Sequence, residues 1–219
     1  GGGTKDGRET HCGRRRECFE SDAWKSRGMI PLVIIRHGPT DWNVEKRIQG
    51  RSDLPLSDLG RQQVAKWVLP IEFQDYRWVS SPLGRALETA RLLGGEPEIE
   101  QRLIEMFWGS WEGQRFPMLR DDLGEEMKRN QARGLDFRPD GGESPREVQA
   151  RLAPWLEEIL DPTVAVCHKG VLNALYALAS GWDMMDKPAD KLRDACAHLF
   201  HVVMGSPQIE RLNIPLVTE

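Results

Sequence analysis

The order of apolar runs in this chain specifies an α/β domain with a largely parallel sheet. Short apolar runs of strand length alternate with segments whose apolar residues recur at helical spacing. Three of the runs end in a short polar turn with glycine or proline and then a helical pattern, the sequence of strand, loop and crossover helix. The chain has 219 residues, 39% hydrophobic and 29% charged. At about 150 residues per domain, one core is the economical reading.

Residues 1–28 are polar, rich in glycine and without either period, which predicts a disordered arm. Met29 leads directly into an apolar run, so the natural start is expected there, with residues 1–28 a non-native extension and 29–219 the single domain. Residues 31–36 read as the first strand. Ser57 is suited to cap a helix carrying Val64, Trp67 and Val68 until Pro70 stops it. Trp78 and Val79 end a second strand, and Pro82, with Ser81 as cap, opens a helix lined by Leu83, Ala86, Leu87 and Ala90. Residues 114–140 are mixed in charge and weakly amphipathic, fitting a lid or specificity insertion. Val148, Leu152, Trp155, Leu156, Ile159 and Leu160 mark the clearest helix, ended by Pro162. Residues 163–167 then form a buried strand, 171–179 a helix closed by Gly181, and 197–204 with 208–213 two edge strands. There is no internal repeat.

Composition narrows the partners. The net charge of -4 and pI near 5.8 lack the basic footprint that binding to nucleic acid needs. Residues 1–28 carry net +2, leaving net -6 for the rest. No run of 18 apolar residues suggests a membrane span, and the amino terminus lacks the apolar stretch of a signal peptide, so a reducing cytoplasm is expected. Cys12, Cys18, Cys167 and Cys196 are too sparse for a disulfide framework. His11, Cys12 and Cys18 are three ligand types without a fourth, so no metal site is expected.

Ligands of open α/β folds sit beyond the carboxyl ends of the strands, and three charged motifs fall there. They are Arg36-His37-Gly38-Pro39-Thr40, Ser80-Ser81-Pro82-Leu83-Gly84-Arg85 and Cys167-His168-Lys169-Gly170. Arg85 lies near the positive end of a helix, where cations are disfavoured unless an anion occupies the spot. His168 repeats the strand-end setting of His37. His198 and His201 lie within a strand pattern and read as packed residues, while Cys167 reads as a small core residue.

Together with Asn43, Gln49-Gly50, Leu56-Ser57, Leu59-Gly60, Ser81-Pro82, Arg85-Ala86, Thr89-Ala90, Glu105, Gly109, Trp111-Glu112-Gly113, Gly142-Glu143-Ser144 and His168, the Arg36-His37-Gly38 motif resembles the histidine phosphatase superfamily from Leu32 to about Met204. The resemblance implies a three-layer α/β/α sandwich of the phosphoglycerate mutase type. It also implies His37 as the nucleophile that is phosphorylated, Arg36, Arg85 and His168 around the phosphoryl group, and Glu105 as proton donor. Asn43, Gln49 and Gly50 match positions that hold the phosphate or line its pocket. A small phosphorylated substrate and no cofactor are implied. Lys169 departs from the family pattern, in which many relatives carry glycine; it is either an added cation at the pocket mouth or a solvated side chain.

The chemistry stands on general grounds as well. Each positive group about 4 Å from a phosphate dianion contributes about 4 kcal/mol at an effective dielectric near 20, before desolvation. Two arginines and a histidine therefore bind the dianion and stabilise charge during in-line transfer, as metal ions do at other sites. The nucleophile must be a neutral imidazole, which neighbouring guanidinium groups favour. The acid must hold its proton near neutrality, which burial beside Phe107-Trp108 would promote for Glu105. Glu112 is the rival acid but suits a hydrogen bond to loop backbone; Asp41 and Glu88 read as surface charges or helix partners. The short segment between Glu105 and His168, and Trp108-Gly109-Ser110-Trp111-Glu112-Gly113 within it, favour the phosphatase branch over the mutases. A binding module that has lost catalysis would not need the complete set His37, Arg36, Arg85, Glu105 and His168.

Overall fold

The computed structural model describes residues 28–217. The expected arm up to residue 27, with His11, Cys12 and Cys18, lies outside the described residues. Six strands, β1 (Ile30–Arg36), β2 (Arg77–Ser80), β3 (Glu98–Ile99), β4 (Thr163–Cys167), β5 (Cys196–Val203) and β6 (Ser206–Pro215), make one sheet in the order β3-β2-β4-β1-β5-β6. Strands β3, β2, β4 and β1 are parallel; β5 is antiparallel to both its neighbours, so β6 points with β1 again. The helices are α1 (Asp41–Val44), α2 (Asp58–Val64), α3 (Gly84–Leu92), α4 (Phe116–Leu123), α5 (Glu125–Gln131), α6 (Pro145–Glu158) and α7 (Lys169–Ser180).

The sheet is buried on both faces because successive side chains of β1 enter different cores. Leu32 and Ile34 pack with Val148, Leu152 and Leu156 of α6 and with Val171, Leu172 and Leu175 of α7. Val33 and Ile35 pack with Leu56, with Val64 of α2, and with Ala86 and Ala90 of α3. This is the expected three-layer α/β/α sandwich. Residues 114–140 add α4 and α5, whose Leu119 and Met127 join Trp111 in a third, separate cluster. Among the described residues, no helix is long and apolar enough to cross a membrane.

Several boundaries differ from the expectations. The helix after Ser57 ends at Val64; Val68 N–H then donates to Leu216 O at 2.6 Å and Trp67 bridges to Val217, so pairing with the distant carboxyl-terminal segment overrides the helical pattern. Ser57 itself caps as expected, accepting from Gly60 N–H at 2.9 Å. Helix α3 begins at Gly84, with Asp53 Oδ1 accepting the Gly84 N–H at 2.8 Å, while Ser81 Oγ accepts from the N–H of Leu83, the residue at the cap position, and does not cap the helix itself. Helix α6 stops at Glu158, which buries Ile159 but leaves Leu160 exposed. Strand β5 is interior rather than an edge; β6 and the short, exposed β3 are the edges.

Candidate active site

The parallel ladder brings the three motifs together. Arg36 pairs with Cys167 across β1 and β4, and Ser80 with Val166 across β2 and β4. Pairing continues one residue past each strand end, with His37 N–H donating to Cys167 O at 3.0 Å and Ser81 N–H to Val166 O at 2.9 Å. His37 and His168 therefore emerge from adjacent strands, with ring centroids 5.1 Å apart.

His37 is buried, and its Nδ1 lies 2.7 Å from the Gly38 carbonyl. A carbonyl oxygen only accepts, so Nδ1 carries the proton and Nε2 holds the lone pair. Arg85 Nε donates to that Nε2 at 3.3 Å. The His37 pKa is driven well below its ordinary value, first by burial and then by the charges of Arg36 and Arg85. The neutral form required of a nucleophile is thus the resting form, and burial outweighs the guanidinium groups.

Arg85 is wholly buried at the amino-terminal turn of α3. Its Nη1 and Nη2 donate to Ser52 O (2.8 Å) and Gly50 O (2.7 Å), which aims the guanidinium at the histidines. Thr89, one turn along α3, accepts from Gly38 N–H at 3.0 Å and donates to Arg85 O at 2.7 Å, locking α3 to the loop that carries His37. Arg36 donates from Nη1 to Asp194 at 2.6 Å, while its Nε is buried without a partner. His168 Nδ1 is likewise buried and unpartnered; its Nε2 lies 2.6 Å from Ser81 Oγ. When Ser81 donates, Nδ1 carries the proton and can donate it to a ligand. Burial, then His37 and the arginines, hold His168 neutral. Buried polar atoms are rarely left unpaired, and two at one site mark where an anion's oxygens fit.

Glu105 is also buried, which raises its pKa against the opposing pull of hydrogen bonds and of Arg85 and Arg36. Its Oε1 accepts from Met106 N–H (2.8 Å) and its Oε2 from Gly170 N–H (3.2 Å). Phe107 does not bury it: that ring is exposed, with Arg51 5.4 Å over its face. The segment carrying Glu105 is pinned from behind, because Arg51 Nε donates to Glu105 O at 3.1 Å and Arg151 Nη2 to Ile104 O at 2.6 Å, with Glu143 pairing both arginines. Glu112, the rival acid, is committed to loop backbone, accepting from the N–H groups of Arg51 (2.8 Å) and Ser52 (3.0 Å).

Asn43 and Gln49 share a hydrogen-bond set with Thr40: Thr40 Oγ1 lies 3.1 Å from Asn43 Oδ1 and 2.9 Å from Gln49 Oε1, and Asn43 closes a capping box on α1. Lys169 is exposed and lines a cavity of about 290 Å³ with Arg36, Lys191, Arg193 and Asp194. His198 is a core histidine whose Nδ1 accepts from Asn213 N–H, and burial lowers its pKa to about 4. His201 faces Glu210 at 3.5 Å. Cys167 is fully buried and its thiol pKa is pushed up by that burial, as befits a core residue. Glu88 pairs with Arg61 at 2.5 Å as a helix partner, and Asp41 is exposed. Sequence reasoning missed the supporting roles of Asp194, Arg51 and Arg151; none carries a local signal, since each acts on a segment at least 47 residues away.

The chain is similar to known phosphatases. The model of the histidine phosphatase superfamily (branch 1) matches residues 32–215. The glucosyl-3-phosphoglycerate phosphatase of Mycolicibacterium vanbaalenii is 38% identical over 68% of this chain and 74% of its own. Phosphoserine phosphatase 1 of Hydrogenobacter thermophilus is 28% identical over 85% and 93%. The structure of a mycobacterial glucosyl-3-phosphoglycerate phosphatase in complex with VO3 superposes with a TM-score of 0.69, at 30% identity, covering 86% of this chain and all of the other. With two histidines, two arginines and a protonatable glutamate converging where the family model matches, the chain belongs to the histidine phosphatase superfamily and is a phosphoric monoester hydrolase.

Proposed function

We propose that the enzyme hydrolyses a small phosphate monoester without a metal ion, through a phosphohistidine on His37, with Glu105 as proton donor. The observation that carries this reading is the pair of buried, unpartnered atoms, Arg36 Nε and His168 Nδ1, beside a His37 held neutral with its Nε2 lone pair available. The two atoms supply donors for the phosphoryl oxygens, and Arg85 exchanges its contact with His37 for one with the phosphate. His37 Nε2 attacks phosphorus as the ester P–O bond breaks, and Glu105 passes its proton to the departing oxygen. Water then attacks the phosphohistidine, the Glu105 carboxylate takes up its proton, and inorganic phosphate leaves. Asn43 and Gln49 hold the loop that follows the nucleophile, and Gly50 fixes Arg85. Cys167 and Cys196, both free thiols, suit a reducing cytoplasm.

The test is an alkaline quench of the enzyme mixed with a 32P-labelled monoester. Label that is stable to alkali, labile to acid and absent from His37→Ala is expected; label that persists in His37→Ala would overturn the assignment.

A further inference from the structure

Next to Glu105 lies a cavity of about 530 Å³ lined by none of His37, Arg36, Arg85 and His168. Its lining includes Met106 and Gly170, the two residues whose N–H groups hold the Glu105 carboxylate. Its walls include Phe116, Phe137, Trp182 and Met185, and among the described residues no charged side chain lines it. On the far side of Asn173, which borders both spaces, the cavity at Arg36 is instead cationic, with Lys169, Lys191 and Arg193 on its rim.

The geometry points to an uncharged, apolar leaving group, aromatic or branched aliphatic, as the part of the substrate that this cavity takes. The inference rests on Glu105 being the acid. An acid must sit against the oxygen it protonates, so the alcohol joined to that oxygen starts at Met106 and Gly170 and extends away from His37. Both residues line the apolar cavity, and neither lines the cationic one at Arg36. A carboxylate or ammonium on the alcohol would be desolvated there among aromatic rings and methionines with no counter-charge, which is unfavourable. A flat or branched hydrocarbon would instead displace water from Phe116, Phe137 and Trp182. The glucosyl-3-phosphoglycerate and phosphoserine named for two relatives both carry a carboxylate. The substrate of this chain is therefore of a different class. Residues 114–140 supply Phe116, Gln131, Gly134 and Phe137 to the wall, which makes that insertion the specificity element.

Isothermal titration with non-hydrolysable phosphonates reads this directly and does not depend on turnover. 3-Phenylpropylphosphonate is expected to bind the wild type at least 30-fold more tightly than 2-carboxyethylphosphonate. Phe116→Ala and Met185→Ala should each reduce that ratio at least fivefold, Phe116→Leu should restore most of it, and Met185→Arg should shift it toward the carboxylate. Equal or tighter binding of 2-carboxyethylphosphonate, a ratio unmoved by the variants, or no binding of either ligand would overturn the proposal. A preserved preference in a protein lacking His37-dependent turnover would instead sink the phosphatase mechanism and leave the cavity assignment standing.

Discussion

Protonation at single residues sets the chemistry. His37 is poised because the Gly38 carbonyl fixes its tautomer and burial keeps it neutral, while Glu105 is poised by the opposite effect of the same burial. Glu105→Gln is expected to lower kcat by about 10²–10⁴ for an alkyl phosphate, and far less for p-nitrophenyl phosphate, whose leaving group hardly needs the proton. Equal losses on both substrates would contradict the role of acid. Because the Glu105 pKa is raised, the enzyme should stay active above the ordinary carboxyl value of 4.5 and lose activity on the alkaline side as Glu105 ionises. In Glu105→Gln that alkaline limb should vanish from the profile of kcat/KM. Arg36, His37 and His168 were legible in the sequence because each stands at the end of an apolar run and before a turn. Asp194 was not, since its contact with Arg36 spans 158 residues of chain.

At the level of elements, the site depends on close approach. A Cβ added to Gly170, in the first turn of α7, would lie 2.5 Å from Glu105 Oε1 and 3.1 Å from Met106 Cβ. Gly170→Ala should therefore push the acid out of place and reduce kcat about 10-fold or more while the fold persists, as thermal melting would verify. A catalytically normal Gly170→Ala would show that Glu105 has more freedom than its hydrogen bonds imply. Glu143 holds Arg51 and Arg151 behind the same segment, so Glu143→Gln should weaken kcat more than KM. Helices α3, α6 and α7 were readable because their apolar faces repeat at 3.6 residues. The end of α2 was not, because Trp67 and Val68 answer to Leu216 and Val217 rather than to their own helix. Strand β3 was missed for a different reason: two exposed residues carry no period. Residues 114–140 looked weakly patterned because their apolar residues face a small cluster of their own.

For the molecule as a whole, the buried histidines lower stability toward acid. His37 and His168 are neutral in the fold but bind protons once unfolded, so the stability they contribute is full above pH 6.5 and is lost as pH falls from there toward their lowered native values. Each costs up to about 1.4 kcal/mol per pH unit in that window. Glu105 acts in the other direction: its contribution is full below pH 4.5 and is lost as pH rises through its raised native value. The melting temperature should fall between pH 7 and pH 5, and fall less in His168→Asn; an unchanged slope in that variant would show that His168 already titrates in the fold. The class of the fold was legible because strands buried on both faces read as apolar runs, whereas the interior place of β5 depends on a strand order that no local pattern encodes. The initial rate of p-nitrophenyl phosphate hydrolysis in EDTA should be compared between wild type and His37→Ala. Metal-free turnover that disappears in the variant is the predicted result, and equal turnover in both proteins would contradict His37 as the nucleophile.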